Sequence, residues 1–180
     1  MKVLAISGSL RKGSFNTLAL RAAQKLAPAG ITIEIADISQ VPLYNEDVHD
    51  AGDPAAVTAL KAQIRAADVV LLATPEYSFS LPGVFKNTLD WLARPPEPPF
   101  NGKVVAILGA SSGQVGTARA QYHLRQVLQG MGSFVVNRPE IFIREAATKF
   151  NAQGELTDAT SAKLITELLD ALQKLKTRLG

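Results

Sequence analysis

Ten residues near the amino terminus combine the side chains and the setting that bind an anion. Residues 8–17, Gly-Ser-Leu-Arg-Lys-Gly-Ser-Phe-Asn-Thr, directly follow the apolar run Val3–Ile6 and open a helical pattern at Phe15. A helix N-terminus offers unpaired N–H groups and a partial positive charge of about half an elementary unit. The side chains that add further donors are those of Ser9, Arg11, Ser14, Asn16 and Thr17. The stretch therefore predicts a phosphate site after a first strand.

The residues that this loop lacks argue against two classes of phosphate-containing ligand. Gly8 and Gly13 have the spacing of a nucleotide-triphosphate P-loop, but Ser14 and Phe15 stand where Lys and Ser or Thr are required. The dinucleotide fingerprint G-x-G-x-x-G is also absent, because Gly8 has no glycine two residues on. Hydroxyls with one arginine suit a single terminal phosphate, as in a mononucleotide. The alternative is an ordinary strand-to-helix turn in which serine and asparagine act as caps.

Two later segments have the composition of binding loops. Residues 74–83 are stiffened by two prolines and place Tyr77 and Phe79 in a loop, where their rings suit contact with a planar ring system. Phe79 is equally compatible with covering a helix end or with a subunit contact. Residues 109–116, Gly-Ala-Ser-Ser-Gly-Gln-Val-Gly, offer small residues before a helix, and their amides favour negative charge on the edge of a bound ring.

Composition excludes several classes of function. The chain of 180 residues fits one domain over 1–180, and its net charge of +3 is spread without a basic run, so nucleic-acid binding has no support. The absence of cysteine excludes disulfides, thiolate nucleophiles and cysteine zinc sites. His49 and His123 lack ligand spacing, and no metal site is predicted. The apolar runs are too short for a signal-peptide core or a membrane span, which favours a cytoplasmic protein.

The elements that must position these loops follow from the apolar patterning. The predicted strands are Lys2–Ser7, Ile31–Ala36, Asp68–Thr74, Lys103–Gly109 and Phe134–Val136, the last extended by Glu140–Ile143. Helical periodicity covers Phe15–Leu26, Pro54–Ile64, Val84–Leu92, Val115–Met131 and Ser161–Leu179, and residues 37–53 are predicted to be a long polar connection. Strands and helices alternate five times, which predicts an α/β fold with a doubly wound parallel sheet. The three loops then meet at the carboxyl edge of that sheet.

Two stretches of the chain carry a family resemblance. Residues 8–16 and 75–91 closely resemble the two signatures of the NAD(P)H-dependent FMN reductases, a flavodoxin-like group that includes bacterial quinone and chromate reductases. The resemblance runs along the whole chain and includes the segment Arg119–Arg125. It implies a flavodoxin-like five-stranded sheet of order 2-1-3-4-5 with helices on both faces. It also implies non-covalently bound FMN, NAD(P)H as co-substrate, and a homodimer or homotetramer.

The same resemblance assigns roles to individual residues. It puts the FMN phosphate on Ser9, Arg11, Ser14, Asn16 and Thr17, with Phe15 in the same cofactor-binding set. It places Pro75, Glu76, Tyr77 and Ser78 along the isoalloxazine ring and Ser111 near the pyrimidine side of that ring. No catalytic acid or base is assigned, and the interpretation favours a capping or backbone role for Glu76 over proton transfer.

The resulting hypothesis is an FMN-containing oxidoreductase that takes electrons from NAD(P)H and passes them to a small-molecule acceptor by a ping-pong mechanism. Quinones, flavins and other acceptors such as chromate are all compatible with it. Two alternatives stay open at this point: a flavodoxin-type electron carrier, which the slightly basic charge disfavours, and a nucleotide-phosphate hydrolase, which lacks its lysine and acidic metal ligands. The residues that suggest self-association are Val84, Phe85, Trp91, Arg119, Tyr122 and Arg125.

Overall fold

Six strands form one parallel sheet in the computed structural model, which describes residues 1–180. The strands are β1 (Lys2–Ser7), β2 (Thr32–Ala36), β3 (Val69–Ala73), β4 (Val104–Ala110), β5 (Phe134–Val135) and β6 (Ile141–Ile143). Their order is β2-β1-β3-β4-β5, with β6 also paired to β4. The predicted flavodoxin-like order 2-1-3-4-5 is therefore confirmed.

The fifth position of the sheet is shared by two short strands. β5 pairs with Val104 and Val105 of β4, whereas β6 pairs with residues 108–110 farther along the same strand. Pro139, between the two strands, has no N–H to donate to a neighbouring strand. The backbone therefore leaves the ladder after Val136 and rejoins it at Ile141.

Helices cover both faces of the sheet. They are α1 (Phe15–Leu26), α2 (Glu46–Asp50), α3 (Ala55–Ala66), α4 (Gly83–Leu92), α5 (Ala118–Gly130) and α6 (Ala159–Leu179), with a 3-10 turn at Ala146–Thr148. Successive strand residues point to opposite faces, so Val69 and Leu71 of β3 pack with α1 and α6 while Val70 and Leu72 pack with α3, α4 and α5. All five residues of β3 are buried, which is the pattern of a strand covered on both sides.

One helix was not predicted from the sequence, and one element boundary differs from its prediction by more than two residues. The connection 37–53 contains the short helix α2, which begins after Asn45 because the Asn45 side chain accepts a hydrogen bond from the N–H of Asp47. Helix α5 begins at Ala118 rather than Val115. Thr117 has a left-handed φ of 70°, so the right-handed helix cannot extend to the residues before it.

The central strands end in register, which brings their following loops to one edge. Ser7 pairs with Ala73, and Ala73 pairs with Leu108. The N–H of Gly8 then donates to Ala73 at 2.8 Å, and the N–H of Thr74 donates to Leu108 at 3.1 Å. Loops 8–14, 74–82 and 111–117 therefore start side by side at the carboxyl edge, as predicted. None of the helices is both long enough and apolar enough to span a bilayer.

Candidate functional site

The three predicted loops meet around one cleft of about 200 Å³. The first loop and the start of α1 contribute five lining residues, and the other two loops contribute three each. These residues are Ser9, Arg11, Ser14, Phe15, Asn16, Pro75, Glu76, Tyr77, Ala110, Ser111 and Ser112. Nine of the eleven residues proposed from the sequence thus line a single cleft, and the structure adds Ala110 and Ser112.

The first loop forms an open cradle at the N-terminus of α1. Ser14 is the N-cap, and its buried hydroxyl accepts a hydrogen bond from the N–H of Thr17 at 3.3 Å. The N–H groups of Phe15 and Asn16 in the first turn have no acceptor within the protein. The Arg11 guanidinium donates to the carbonyl of Gly13 at 3.2 Å, which holds its charge over the same loop. Backbone donors, a helix dipole and one arginine therefore face the cleft together.

The loop can turn this tightly because position 8 has no side chain. A Cβ on Gly8 would lie 2.6 Å from Cδ1 of Phe85, and Phe85 is fully buried in α4. The close approach of loop 8–14 to α4 depends on glycine at this position.

Asn16 links the first loop to the third. Its buried side-chain amide donates to the carbonyl of Ala110 and accepts from the N–H of Ala110, both at 2.9 Å. The amide thereby bridges the two loops, and the backbone N–H of Asn16 is free to contact an anion. The side chain instead sets the distance between the cradle and the loop that begins after β4.

Two residues proposed from the sequence lie outside the cleft lining. The hydroxyl of Thr17 donates to Ser7 at 2.9 Å and borders a neighbouring cleft, described below. Ser78 lies at the tip of a tight turn in which Tyr77 and Ser80 exchange two backbone hydrogen bonds. Ser78 and Phe79 both have left-handed φ values, 49° and 65°, as in a type I′ turn. That turn leaves Phe79 64% exposed.

Glu76 joins the second loop to helix α5. Its carboxylate accepts hydrogen bonds from the N–H groups of Arg119 and Ala120, at 3.1 and 3.3 Å, and forms an ion pair with the Arg119 guanidinium. The side chain of Thr117, at the N-cap position, makes no capping bond to the first-turn N–H groups, so Glu76 caps this helix from another loop. The Arg119 guanidinium in turn lies 3.8 Å from the centre of the Phe79 ring. Glu76 thereby neutralises the guanidinium and occupies two N–H groups at the N-terminus of α5.

The third loop is fastened to β6 and presents two free amides. Ser111 donates its N–H to Ile143 and accepts from Ala146 through its carbonyl, at 3.0 and 2.9 Å. The N–H groups of Ser112 and Gly113 have no acceptor within the protein. The loop is a seven-residue turn before α5 rather than the start of the helix itself, so its donors act as single amides without the helix dipole.

Sequence reasoning missed the contacts that hold the loops together. Glu76 and Arg119 are 43 residues apart, and Asn16 and Ala110 are 94 apart, so no local pattern marks either pair. Only the position of Asn16 in a loop-to-helix turn hinted at hydrogen bonding. No group of three or more His, Asp or Glu residues is arranged to hold a metal ion.

The geometry of the cleft defines a class of protein. An anion cradle at the β1–α1 junction and a loop carrying an aromatic residue after β3 meet where the strand order reverses, between β1 and β3. In flavodoxin-like sheets this junction is the FMN site. The free amides of Phe15 and Asn16 suit a terminal phosphate, and the rings of Pro75 and Tyr77 in the same lining suit the ring system of a flavin mononucleotide.

Comparison with known proteins agrees with that class. The family model described as NADPH-dependent FMN reductase matches residues 1–148. The chain is 57% identical over 173 residues to an NAD(P)H-dependent FMN reductase of Pseudomonas aeruginosa, covering 96% of this chain and 94% of the relative. It is 44% identical over 174 residues to a quinone reductase of Escherichia coli K12, covering 95% and 93%. The solved structure of FerB, a flavoenzyme NAD(P)H:(acceptor) oxidoreductase from Paracoccus denitrificans, matches with a TM-score of 0.90 at 36% identity, over 99% of this chain and 98% of that one.

The chain therefore belongs to the NADPH-dependent FMN reductase family. It is an NAD(P)H-dependent oxidoreductase whose cofactor is FMN, and the family resemblance predicted from the sequence is confirmed.

Proposed function

We propose that this enzyme transfers electrons from NAD(P)H to quinones and related small acceptors, with FMN held in the cleft between the three loops. The observation that carries the proposal is the convergence of the anion cradle and the loop 75–78 on one cleft. The family membership supports the chemistry, and the cleft supports the assignment of residues.

The phosphate of FMN is assigned to the first loop. The unpaired N–H groups of Phe15 and Asn16 supply backbone donors, and the hydroxyls of Ser9 and Ser14 line the same wall. Arg11 adds the charge, since its present acceptor, the Gly13 carbonyl, is neutral, and a phosphate would add ion-pair attraction to the hydrogen bond. Thr17 supports this arrangement through Ser7 and the cap of Ser14.

The isoalloxazine ring is assigned to the second and third loops. Bound FMN supplies a ring that takes up a hydride and releases electrons to an acceptor. The loop Pro75–Ser78 orients one side of that ring, and the free amides beside Ser111 stabilise negative charge at the other. Glu76 contributes by holding its loop against α5, so proton transfer at this carboxylate is not part of the proposal.

A ping-pong mechanism is proposed for the order of substrates. The cleft is shallow, and Tyr77 on its rim is half exposed, which leaves one open side for both substrates. NAD(P)H and the acceptor then use that side in turn. Quinones suit an aromatic rim, and free flavins and oxyanions such as chromate reach an open site as well.

The two alternatives raised from the sequence are less well supported. A flavodoxin-type electron carrier shares the fold and the cofactor, but the relatives that cover almost the whole chain are named as reductases. A nucleotide hydrolase would use the first loop alone, and the metal ligands it needs are absent.

We also propose that the protein self-associates, that residues 1–180 form a single functional domain, and that the protein is cytoplasmic. Phe85 and Trp91 are fully buried in the chain's own core, so they do not contribute to a subunit contact as the sequence suggested. Exposed Tyr122 and Phe79 support a homodimer or homotetramer instead. Light scattering that gave a 19.2 kDa monomer at micromolar concentration would contradict self-association.

A cytoplasmic location follows from the supply of reduced nicotinamide that the reaction consumes.

The experiment that tests the proposed function compares two neighbouring basic residues. NADPH oxidation by the FMN-loaded protein is followed with a benzoquinone as acceptor, and FMN affinity is measured by calorimetry. Arg11→Ala should weaken FMN binding about 10- to 100-fold, because a charge-assisted contact contributes about 1.5–3 kcal/mol. Lys12→Ala, which removes an equal charge outside the cleft lining, should change the affinity by less than about threefold.

Three results decide between the possibilities. Steady turnover whose initial-rate lines stay parallel as the acceptor is varied supports the reductase with a ping-pong order. Bound FMN with negligible turnover would favour the carrier. Equal losses in Arg11→Ala and Lys12→Ala would contradict the assigned cradle.

A further inference from the structure

A second cleft lies beside the phosphate cradle and takes no part in the proposed function. It has a volume of about 530 Å³, within the range of small-molecule sites, and opens at the same carboxyl edge between β1 and β2. Ser9 borders both clefts. A ligand whose phosphate lies on the first loop therefore lies next to this second cleft.

The polar groups of this cleft are those that bind a ribonucleotide. Asp37 directly follows β2, the second strand of the β1-α1-β2 unit, and dinucleotide-binding sheets bind the adenosine ribose from an acidic residue at this place. Its two carboxylate oxygens each accept one hydrogen bond from Ser39, at 2.8 and 2.9 Å, which orients the group and leaves lone pairs free for a ribose diol.

The second cleft also contains a positively charged side chain, Arg21, and two apolar side chains, Leu10 and Ile35. Arg21 lies on α1 four residues after Thr17, which puts both side chains on the face that borders the cleft. Arg21 makes no hydrogen bond or ion pair within the protein, so its guanidinium is available to a phosphate. Leu10 is 52% exposed at the rim, and Ile35 lines the wall, which suits the face of a purine base.

We propose that the cleft between β1 and β2 is a subsite for an adenosine phosphate, with Asp37 on the ribose, Arg21 on a phosphate and Leu10 against the base. The inference rests on the proposed function, because it takes the flavin phosphate to lie on the first loop. Two ligands carry this chemistry: the adenylate half of a flavin dinucleotide and the adenosine end of the nicotinamide coenzyme. Arg21 would then also favour a 2′-phosphate, and with it NADPH over NADH.

The test measures binding in three calorimetric titrations. The apoprotein is titrated with FMN and with FAD, and the FMN-loaded protein is titrated with NADP⁺, which cannot reduce the flavin. The variants are Arg21→Ala, whose side chain makes no hydrogen bond or ion pair within the protein, and Asp37→Asn, which keeps an acceptor for the turn with Ser39. Arg178→Ala, on the exposed end of α6, is the matched control.

We expect Arg21→Ala to weaken either FAD or NADP⁺ about tenfold while FMN affinity stays within about twofold and the control is unchanged. Weakening of FAD identifies the flavin dinucleotide as the source of the adenylate, and weakening of NADP⁺ identifies the coenzyme. The subsite is refuted if neither titration responds to Arg21→Ala or Asp37→Asn, or if FMN weakens to the same extent. Failure of the wild-type protein to bind FMN would refute the proposed function and this inference with it.

Discussion

Replacing Glu76 by glutamine tests whether this residue caps a helix or takes part in proton transfer. The carboxylate accepts two backbone N–H bonds and the Arg119 ion pair, and its side chain is only 8% exposed. A hydrogen bond to a charged group contributes about 1.5–3 kcal/mol, and an N-cap about 1 kcal/mol. Glutamine keeps one acceptor oxygen but loses the charge, so Glu76→Gln should lower the free energy of unfolding by about 2 kcal/mol.

The assay is thermal unfolding of the apoprotein, followed by circular dichroism. For a chain of this length about 2 kcal/mol corresponds to a Tm lower by about 4–8 °C. The control is Glu97→Gln, because Glu97 is paired with Arg65 at 3.9 Å on the open surface with a side chain 79% exposed. Loss of such a pair should cost less than about 1 kcal/mol.

Turnover of Glu76→Gln separates the two roles. If Glu76 only caps α5, the pH profile of kcat keeps its wild-type shape in the variant. A variant as stable as the wild type would refute the capping role. Loss of one limb of the pH profile without loss of stability would instead assign proton transfer to Glu76.

Three further substitutions test other parts of the structure by urea unfolding. Ser78→Gly should stabilise the protein by about 1 kcal/mol, because glycine adopts the left-handed φ of 49° without strain. Gly109→Ala should destabilise it by about 2–3 kcal/mol or prevent folding, since the added Cβ would lie 1.8 Å from Oγ1 of Thr117. Asp158→Asn should cost about 1–2 kcal/mol near neutral pH and progressively less as the pH falls through about 2. The hydrogen bond from Lys149, followed by those from Ser161, lowers the pKa of Asp158 from 3.8 to about 2, so its contribution is full above the unfolded pKa and is lost as the pH falls through about 2.

Control variants, or results that would contradict the expected stability change, accompany each of these three substitutions. Gly83→Ala is the control for Gly109, because an added Cβ at Gly83 meets no atom. Asp170→Asn, on the exposed face of α6, is the control for Asp158. A destabilised Ser78→Gly would show that the serine hydroxyl outweighs the backbone strain. A difference between Asp158→Asn and wild type that does not change with pH would contradict the ion pair with Lys149.

The strands of the sheet could be predicted because each carries its own apolar signal, whereas the strand order came from the family resemblance. The uninterrupted apolar run of β3 indicates a strand covered on both faces, and the periodicities of α1 and α6 lie within two residues of their observed bounds. The apolar pattern could not show where the backbone conformation ends a helix early or where a cap starts an extra one. Thr117 ends the helical pattern by a left-handed φ, and α2 is a five-residue helix set by the Asn45 cap rather than by an apolar stripe.

The loops of the site could be predicted, but not the contacts that hold them. Gly8, Ser14 and Arg11 mark the cradle by type and spacing, because the chemistry of a helix N-terminus is local in sequence. The bond between Asn16 and Ala110 and the cap that Glu76 places on α5 join distant segments. Such pairs depend on which loops the sheet brings together, and a single sequence does not encode that locally.

Loop 8–17 is assigned to the terminal phosphate of FMN, and comparing FMN with riboflavin, which has the same ring and no phosphate, isolates that contact. Calorimetric titration of the wild-type apoprotein should show FMN binding at least about 100-fold more tightly, because several amide and arginine contacts are made only to the phosphate. Equal affinity for the two compounds would show that the cradle does not hold the phosphate and would contradict the account of the site.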